Sequence, residues 1–401
     1  MLIKLDDSLI ICLKNDLDNF NHFSPEIKSL NNIAKAYYEG YHVISVDSIE
    51  LLEMLVQIDV LEEVSKRIYQ SLLDKFVFLP AYEEFCSDYI LVKGNDFNFS
   101  RIENKQQCIF EVPLNHFSVL QSISATSLVS EDLSDCLFYE KLAKKYIQEN
   151  KNHINFNLSL SPTPGNGDGT CKLYEYKLKS KFITFVIADS DKTYPEDTVG
   201  NTLSKINTIY SANKNGSITN VYELTVREKE NLISPSLYLL CANNSIRGTL
   251  TKLKKIEESE SLSTKLKYID LKDGIKAKTL KSNETRKKYL EDLFNEVSDL
   301  FACSYDEIED KHDEYPIING IGSALEDFYN DILGDGLEKK LTQKKKVATK
   351  FRIPEESIKN IELNVIKKQN LFKLVPNYIK DDLEFICKKI ISWGCSSEFI
   401  A

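Results

Sequence analysis

Two apolar patterns trade places along residues 1–255. Short apolar runs read as strands, and between them apolar residues return every three or four positions, the period of a helix face. Ser8–Leu13, His42–Val46, Phe76–Pro80 and Tyr89–Val92 are strand-like, whereas Pro25–Tyr38 and Ile49–Leu73 have helical spacing. Ser24-Pro25 marks a helix start, because proline suits the first turn. Ser127–Ser130 predicts a strand ending at Glu131, and Ser134 a helix cap. Leu137, Tyr139, Leu142, Ala143 and Tyr146 then form an apolar helix face. Pro162–Gly169 is a glycine-rich loop, Phe182–Ala188 a buried strand, Val199–Ile206 a modest helix and Val221–Leu224 a further strand. From about residue 256 the pattern is mainly helical and rich in lysine, and Trp393 with Ile390 and Ile391 reads as core. Strands alternating with helices predict an α/β fold with a mostly parallel, Rossmann-like sheet. The expected organisation is an N-terminal α/β domain over 1–120, a second α/β domain over 121–255 and a helical region over 256–401.

Composition narrows the class. The 401 residues are 42% apolar and 28% charged, which fits a globular protein and not a disordered one. No apolar stretch approaches the roughly 20 residues that span a bilayer, so no membrane association is expected. Asp6 and Asp7 close to the start argue against a signal peptide. Nine cysteines without a Cys-x-x-Cys pair read as reduced thiols of a cytoplasmic protein and remove the simplest zinc site. The five histidines show no metal-ligand spacing.

The net charge of −10 is unevenly spread. Lys339–Lys368 carries ten lysines and arginines against Glu355, Glu356 and Glu362. Lys344, Lys345 and Lys346 are its densest run and the expected contact for a nucleic-acid backbone. Without interleaved aromatics they would hold phosphates and read no bases. A solvated helix face is the plain alternative, with Arg286, Lys287 and Lys288 as the next basic run.

The chemistry-bearing residues are acids. Phe182–Ala188 ends in Asp189-Ser-Asp191, two carboxylates spaced i, i+2 at the expected carboxyl edge of a sheet, where open α/β folds place ligands. Carboxylates so close repel one another, and they commonly hold a cation or share a proton. Three further clusters follow strand-like runs: Glu131 to Asp135, Gly165-Asn-Gly-Asp-Gly169, and Glu228-Lys-Glu230. An all-oxygen donor set of this kind suits Mg²⁺ or Mn²⁺.

In this order the clusters resemble the TOPRIM domain of topoisomerases, bacterial primases and the overcoming-lysogenization-defect (OLD) nucleases. Glu131 matches that pattern's strand-end glutamate, and Asp189 and Asp191 its Asp-x-Asp. Arg227-Glu228-Lys229-Glu230-Asn231 looks like the Arg-Glu-x-Glu-Asn signature of OLD-like and stand-alone TOPRIM nucleases, several of which act in antiviral defence. The likeness covers roughly a third of the chain, and Asp132 stands where the pattern usually has glycine. It implies a nuclease cleaving DNA or RNA with one or two bound metals. Asp189 and Asp191 would be ligands, Glu131 a ligand or proton carrier, and Asp135, Glu228 and Glu230 further ligands. The chain has no G-x-x-x-x-G-K-[ST] loop, so the ATPase that accompanies OLD nucleases would be a separate partner here, as would a sensor.

Two other classes fit parts of the pattern. Asp189, Asp191 and Thr193 match the first motif of haloacid-dehalogenase-type phosphatases, with Asp189 as nucleophile and Asp191 as general acid. That motif normally opens its domain, whereas a strand–Glu–helix unit precedes it here. The third class is a non-catalytic interaction protein whose acids are strand-end caps, first-turn helix acids and solvated charges.

Overall fold

The computed structural model describes residues 1–16, 19–104, 106–151, 157–167, 169–322, 324–348 and 355–397. The chain is α/β, and its contacts group it into two compact units. One contains Met1–Ala188, Ser204–Tyr222 and the segment from Phe385; the other contains Asp189–Leu203 and Glu223–Glu384. The sequence reading divides the chain into three consecutive regions. The structure instead returns the C-terminal segment to the N-terminal unit and leaves the strand-end acids Asp189 and Asp191 with the helical one.

The first unit holds two sheets. In the N-terminal sheet, β1 (Leu2–Leu5), β2 (Val43–Val46), β3 (Asp88–Lys93), β4 (Ser100–Glu103) and β5 (Cys108–Pro113) lie in the order β2-β1-β3-β5-β4. All its pairings are parallel except the β4–β5 edge. The second sheet contains β6 (Thr126–Ser130), β8 (Leu160–Pro164), β9 (Thr184–Ala188) and β10 (Thr219–Glu223), ordered β10-β9-β6-β8, with β6 parallel to both neighbours. A two-residue strand, β7 (Asn157–Leu158), pairs outside it with Cys395–Ser396. Setting the β4 edge aside, each sheet is wound the same way: second strand, first, third, fourth. The chain leaves β6 toward β8 on one side and leaves β9 toward β10 on the other. The carboxyl ends of β6 and β9 therefore flank a topological switch point.

Helices connect these strands. They are α1 (Ser8–Asp16), α2 (Pro25–Tyr38), α3 (Ile49–Gln57), α4 (Glu63–Asp74), α5 (Leu133–Glu149), α6 (Gly169–Lys179) and α7 (Asn201–Asn213). Several differ from the sequence reading. The expected strand Ser8–Leu13 is α1, started by Asp6, whose carboxylate accepts from Ser8 N–H at 2.9 Å. Leu9 and Leu13, one turn apart, are buried while Ile11 is exposed, which is the helical period. Phe76–Pro80 is not a strand: it lies in a 3₁₀ turn with Val77 and Phe78 exposed. Ile49–Leu73 breaks into α3 and α4 where Ile58 turns extended. The glycine-rich loop is shorter than expected because Leu160–Pro164 forms the edge strand β8, a position that tolerates Pro162 and Pro164. Asp168 of that loop lies outside the described residues.

Trp393 is buried, as expected. Its ring stacks on Phe185 of β9 at 5.1 Å and meets Phe110 of β5 edge-on at 5.6 Å, so one indole touches both sheets. Its Nε1 donates to the fully buried Asp88 at 2.8 Å, and Lys389 Nζ reaches the other Asp88 oxygen at 2.6 Å. The backbone N–H of Cys108 donates to Asp88 at 3.0 Å. Arg101 of β4 adds a second tie, donating to the Thr219 carbonyl of β10 at 2.8 Å and to Asn220 at 3.3 Å.

The second unit is mainly helical. Tyr238 packs on Phe328 at 5.6 Å, and Leu237, Leu250, Leu253 and Ile256 are buried. A two-stranded antiparallel ladder pairs Gly274–Lys276 with Pro316–Asn319. Gly274 has φ +78°, and a Cβ there would fall 2.2 Å from the Ile318 carbonyl oxygen, so the close approach requires glycine. Among the described residues no helix is long and apolar enough to cross a membrane, and none of the nine cysteines forms a disulfide.

Removing one partner of a buried ion pair strands the other charge, at a cost of roughly 3–5 kcal/mol. Asp88→Ala is expected to lower stability by about that amount in urea unfolding, with a red shift in the emission of Trp393, the single tryptophan.

Candidate functional site

The acids that the sequence singles out fall into two settings. In the first unit, Glu131 follows the last residue of β6. Its carbonyl accepts from the N–H groups of Asn166 (2.8 Å) and Gly167 (3.4 Å), so the glycine-rich turn fixes its backbone. Asp132 occupies the place where glycine was expected with φ −130°, an extended conformation that needs no glycine. Asp132, and not Ser134, caps α5: it accepts from Ser134 N–H at 3.2 Å. Asp135 returns the interaction by accepting from Asp132 N–H at 2.9 Å. This capping box gives Asp135 a structural task at the helix start, where its charge also favours the dipole.

In the second unit, Asp189 and Asp191 lie on the loop that leaves β9, and that loop is fastened to the Val226–Asn231 segment. Ser190 Oγ donates to the Val226 carbonyl at 2.7 Å and Asp191 N–H to the Arg227 carbonyl at 3.0 Å. Lys229 N–H donates to Asp189 Oδ1 at 3.2 Å. Asp191 has φ +57°, the left-handed region that costs a non-glycine residue, and such strain is enriched at ligand sites. Gly200 closes over it: a Cβ there would lie 2.0 Å from Asp191 Oδ2.

The Arg-Glu-Lys-Glu-Asn run divides by role. Arg227 donates to Glu228 Oε1 (3.0 Å), Asp270 Oδ2 (3.1 Å) and the Asp191 carbonyl (3.2 Å), joining three parts of the cluster. Asn231 is buried and structural. Its side-chain oxygen accepts from Glu228 N–H at 3.2 Å, and its amide donates to the Leu266 and Ile269 carbonyls at 2.8 and 2.7 Å. Glu230, expected as a further ligand, is buried at 5% exposure. Together with burial, its charge holds the phenols of Tyr238 and Tyr329 well above their ordinary range. It belongs to that interior polar group, and Glu228 is the member of the pair that faces Asp191 and Asp270.

Burial raises the Glu228 carboxyl to about 7, with Asp270 the next largest contribution, ahead of the opposing pull of Arg227. Burial also raises Asp191, against Arg227 and with help from Asp270. Asp270 is the acid that sequence reasoning missed. It stands alone after Ile269, and only its position opposite Arg227 marks it. Among the described residues, no three or more His, Cys, Asp or Glu side chains are drawn together as a ready-made metal cage.

Thr193, third in the phosphatase-type motif, donates its hydroxyl to Asp197 at 2.6 Å, and Lys192 pairs with Glu223 at 2.7 Å. Of the lysine run, Lys344 lines a cavity of ≈ 720 Å³ with Arg247 and Lys340, Lys345 pairs with Glu362 at 2.5 Å, and Lys346 is exposed. No family model, curated protein or solved structure matches the chain.

The Glu228 shift has a testable sign. Its folded-state pKa lies above the unfolded one, so between about pH 4.5 and 7 the native protein binds a proton that the unfolded chain has released. Stability therefore declines as pH rises through that window, by roughly 3 kcal/mol at about 1.36 kcal/mol per unit. Unfolding curves across pH 4–8 should show this decline in wild type and lose most of it in Glu228→Gln.

Proposed function

We propose that the protein is a Mg²⁺- or Mn²⁺-dependent nuclease that hydrolyses phosphodiester bonds of DNA or RNA. The observation that carries this reading is the acid cluster around the loop after β9, in which Asp191 is held in a strained conformation and Arg227 ties Glu228, Asp270 and the Asp191 backbone together. The donor set fits the ion. It is all oxygen, as these hard cations prefer, and a cation would remove the electrostatic cost now raising Asp191 and Glu228. The resemblance to TOPRIM nucleases supports the same reading.

Asp189 and Asp191 would hold the metal, with Asp189 oriented by the Lys229 N–H. When bound, the metal supplies Lewis-acid activation of the phosphoryl group and of water. Glu228, with a carboxyl near 7, is matched to moving a proton at neutral pH. On the resemblance alone, Glu131, the acid at the end of β6, would be a ligand or a proton carrier. Lys344 and the neighbouring Arg247 and Lys340 offer backbone phosphates a basic lining. A cytoplasmic setting in antiviral defence, with control by a separately encoded ATPase or sensor, completes the proposal.

The test is cleavage of end-labelled DNA and RNA with Mg²⁺, with Mn²⁺ and with EDTA, beside a small phosphate ester. Asp189→Asn is expected to abolish metal-dependent cleavage while keeping the fold. Replacing Lys344, Lys345 and Lys346 with alanine should weaken binding and reduce the salt slope by up to about three. Ester hydrolysis without cleavage of either polymer would favour the phosphatase class, and activity retained in Asp189→Asn would remove the proposal.

A further inference from the structure

Arg286 carries a charge that the fold buries without pairing. It lies in the short helix Glu284–Tyr289, where its backbone N–H donates to Asn283 at 2.9 Å. The residue is 4% exposed and its Nε is buried with no hydrogen-bond partner. Asp270 and Asp197 act on it through space, but among the described residues neither closes an ion pair with its guanidinium. Burial, and then the like charge of Arg227, pull its pKa down to about 10. A buried guanidinium donor left unmade is costly, and a native group of this kind points to stored strain, a functional role or a bound ion.

The surroundings indicate what would repay it. Arg286 lines a polar cavity of ≈ 410 Å³ together with Arg227, Lys276, Thr279, Asp270 and Asp273. Asp270 is already engaged, by Arg227 at 3.1 Å and by the Asp273 N–H at 2.7 Å. Lys276 leans to Glu314 at 2.5 Å, outside the lining. Arg227 and Lys276 thus have carboxylate partners and Arg286 has none among the described residues, beside a space of small-ligand size. Guanidinium forks match the oxygens of a tetrahedral oxyanion, which a carbonyl or an apolar group would leave unanswered.

We propose that this cavity is a phosphate-binding site, with Arg286 and Arg227 as its principal donors. The identity of the ligand rests on the nuclease reading: it is a phosphate of the nucleic-acid chain. Arg227 also donates to Glu228 and to the Asp191 carbonyl, so a phosphate in the cavity shares a residue with the acid cluster. Arg286 is then a substrate-binding residue, distinct from the exposed lysines of Gly336–Ala348, which would contribute only to general backbone affinity.

The experiment is a titration of the full chain with inorganic phosphate in EDTA, against chloride of equal ionic strength, read by thermal unfolding and ³¹P line broadening. Wild type and Lys179→Ala, a control at an exposed lysine outside the lining, should be stabilised alike. Arg286→Met should unfold at a higher temperature than wild type without phosphate, since the unpaired buried charge is gone, and should bind phosphate at least tenfold more weakly. Arg286→Lys keeps the charge but loses the fork, and should also bind several-fold more weakly; it decides the matter if the methionine variant does not fold. Failure of wild type to bind phosphate, or equal binding by wild type and the Arg286 variants, overturns the site. Because no metal is present, the titration is independent of cleavage. Loss of the nuclease reading in the Asp189→Asn comparison leaves it standing as an anion site, and its own failure leaves that comparison intact.

Discussion

Arg227 is the constraint on which the candidate site depends. Its guanidinium is shared by Glu228, Asp270 and the Asp191 carbonyl, and its backbone carbonyl receives the Asp191 N–H. Without a cation at that point, Asp191, Glu228 and Asp270, which come from three segments, would repel one another with nothing to offset it. Coulomb attraction over about 3 Å in a partly buried setting is worth several kcal/mol even at an effective dielectric near 20. Two of the three acids nevertheless remain raised, Glu228 to about 7. Burial is the main cause in both, so one arginine holds the cluster together without cancelling the cost of its buried charges.

The fold brings this about through connection order. Both sheets are wound second-first-third-fourth, and in the second sheet the loops after β6 and β9 diverge at the switch point. The internal similarity lies in topology and leaves no trace in the spacing of residues, so no repeat is legible in the chain. The two sheets share a hub that sequence separation also conceals: Asp88 and Lys389 are 301 positions apart, and they meet because the C-terminal segment returns to the first unit.

What was legible follows from local physics. Val129 and Val186 sit level in adjacent parallel strands, and runs such as Phe182–Ala188 announce themselves as buried strands whatever surrounds them. Ser8–Leu13 misleads because a compact apolar run suits either element, and the deciding feature is the Asp6 cap two residues before it. In the site, Asp189, Asp191 and Glu228 stand out because they follow strands or sit in a signature. Glu230 sits in the same signature yet turns inward to two tyrosines, and Asp135 closes a capping box, distinctions set by side-chain direction and not by spacing. Asp270 and Arg286 carry no motif. Asp270 is marked by its ion pair with Arg227, and Arg286, legible only as part of a basic run, by its burial; both marks are properties of the folded chain.

The central claim is that the acids after β9 form a divalent-cation site. Anomalous diffraction from crystals grown with Mn²⁺ tests it most directly. The account predicts a manganese peak within coordinating distance, roughly 2.0–2.3 Å, of carboxylate oxygens of Asp189 and Asp191, with Glu228 turned toward it. Ordered Asp189 and Asp191 side chains with no peak between them, or manganese bound only at unrelated surface acids, would contradict it.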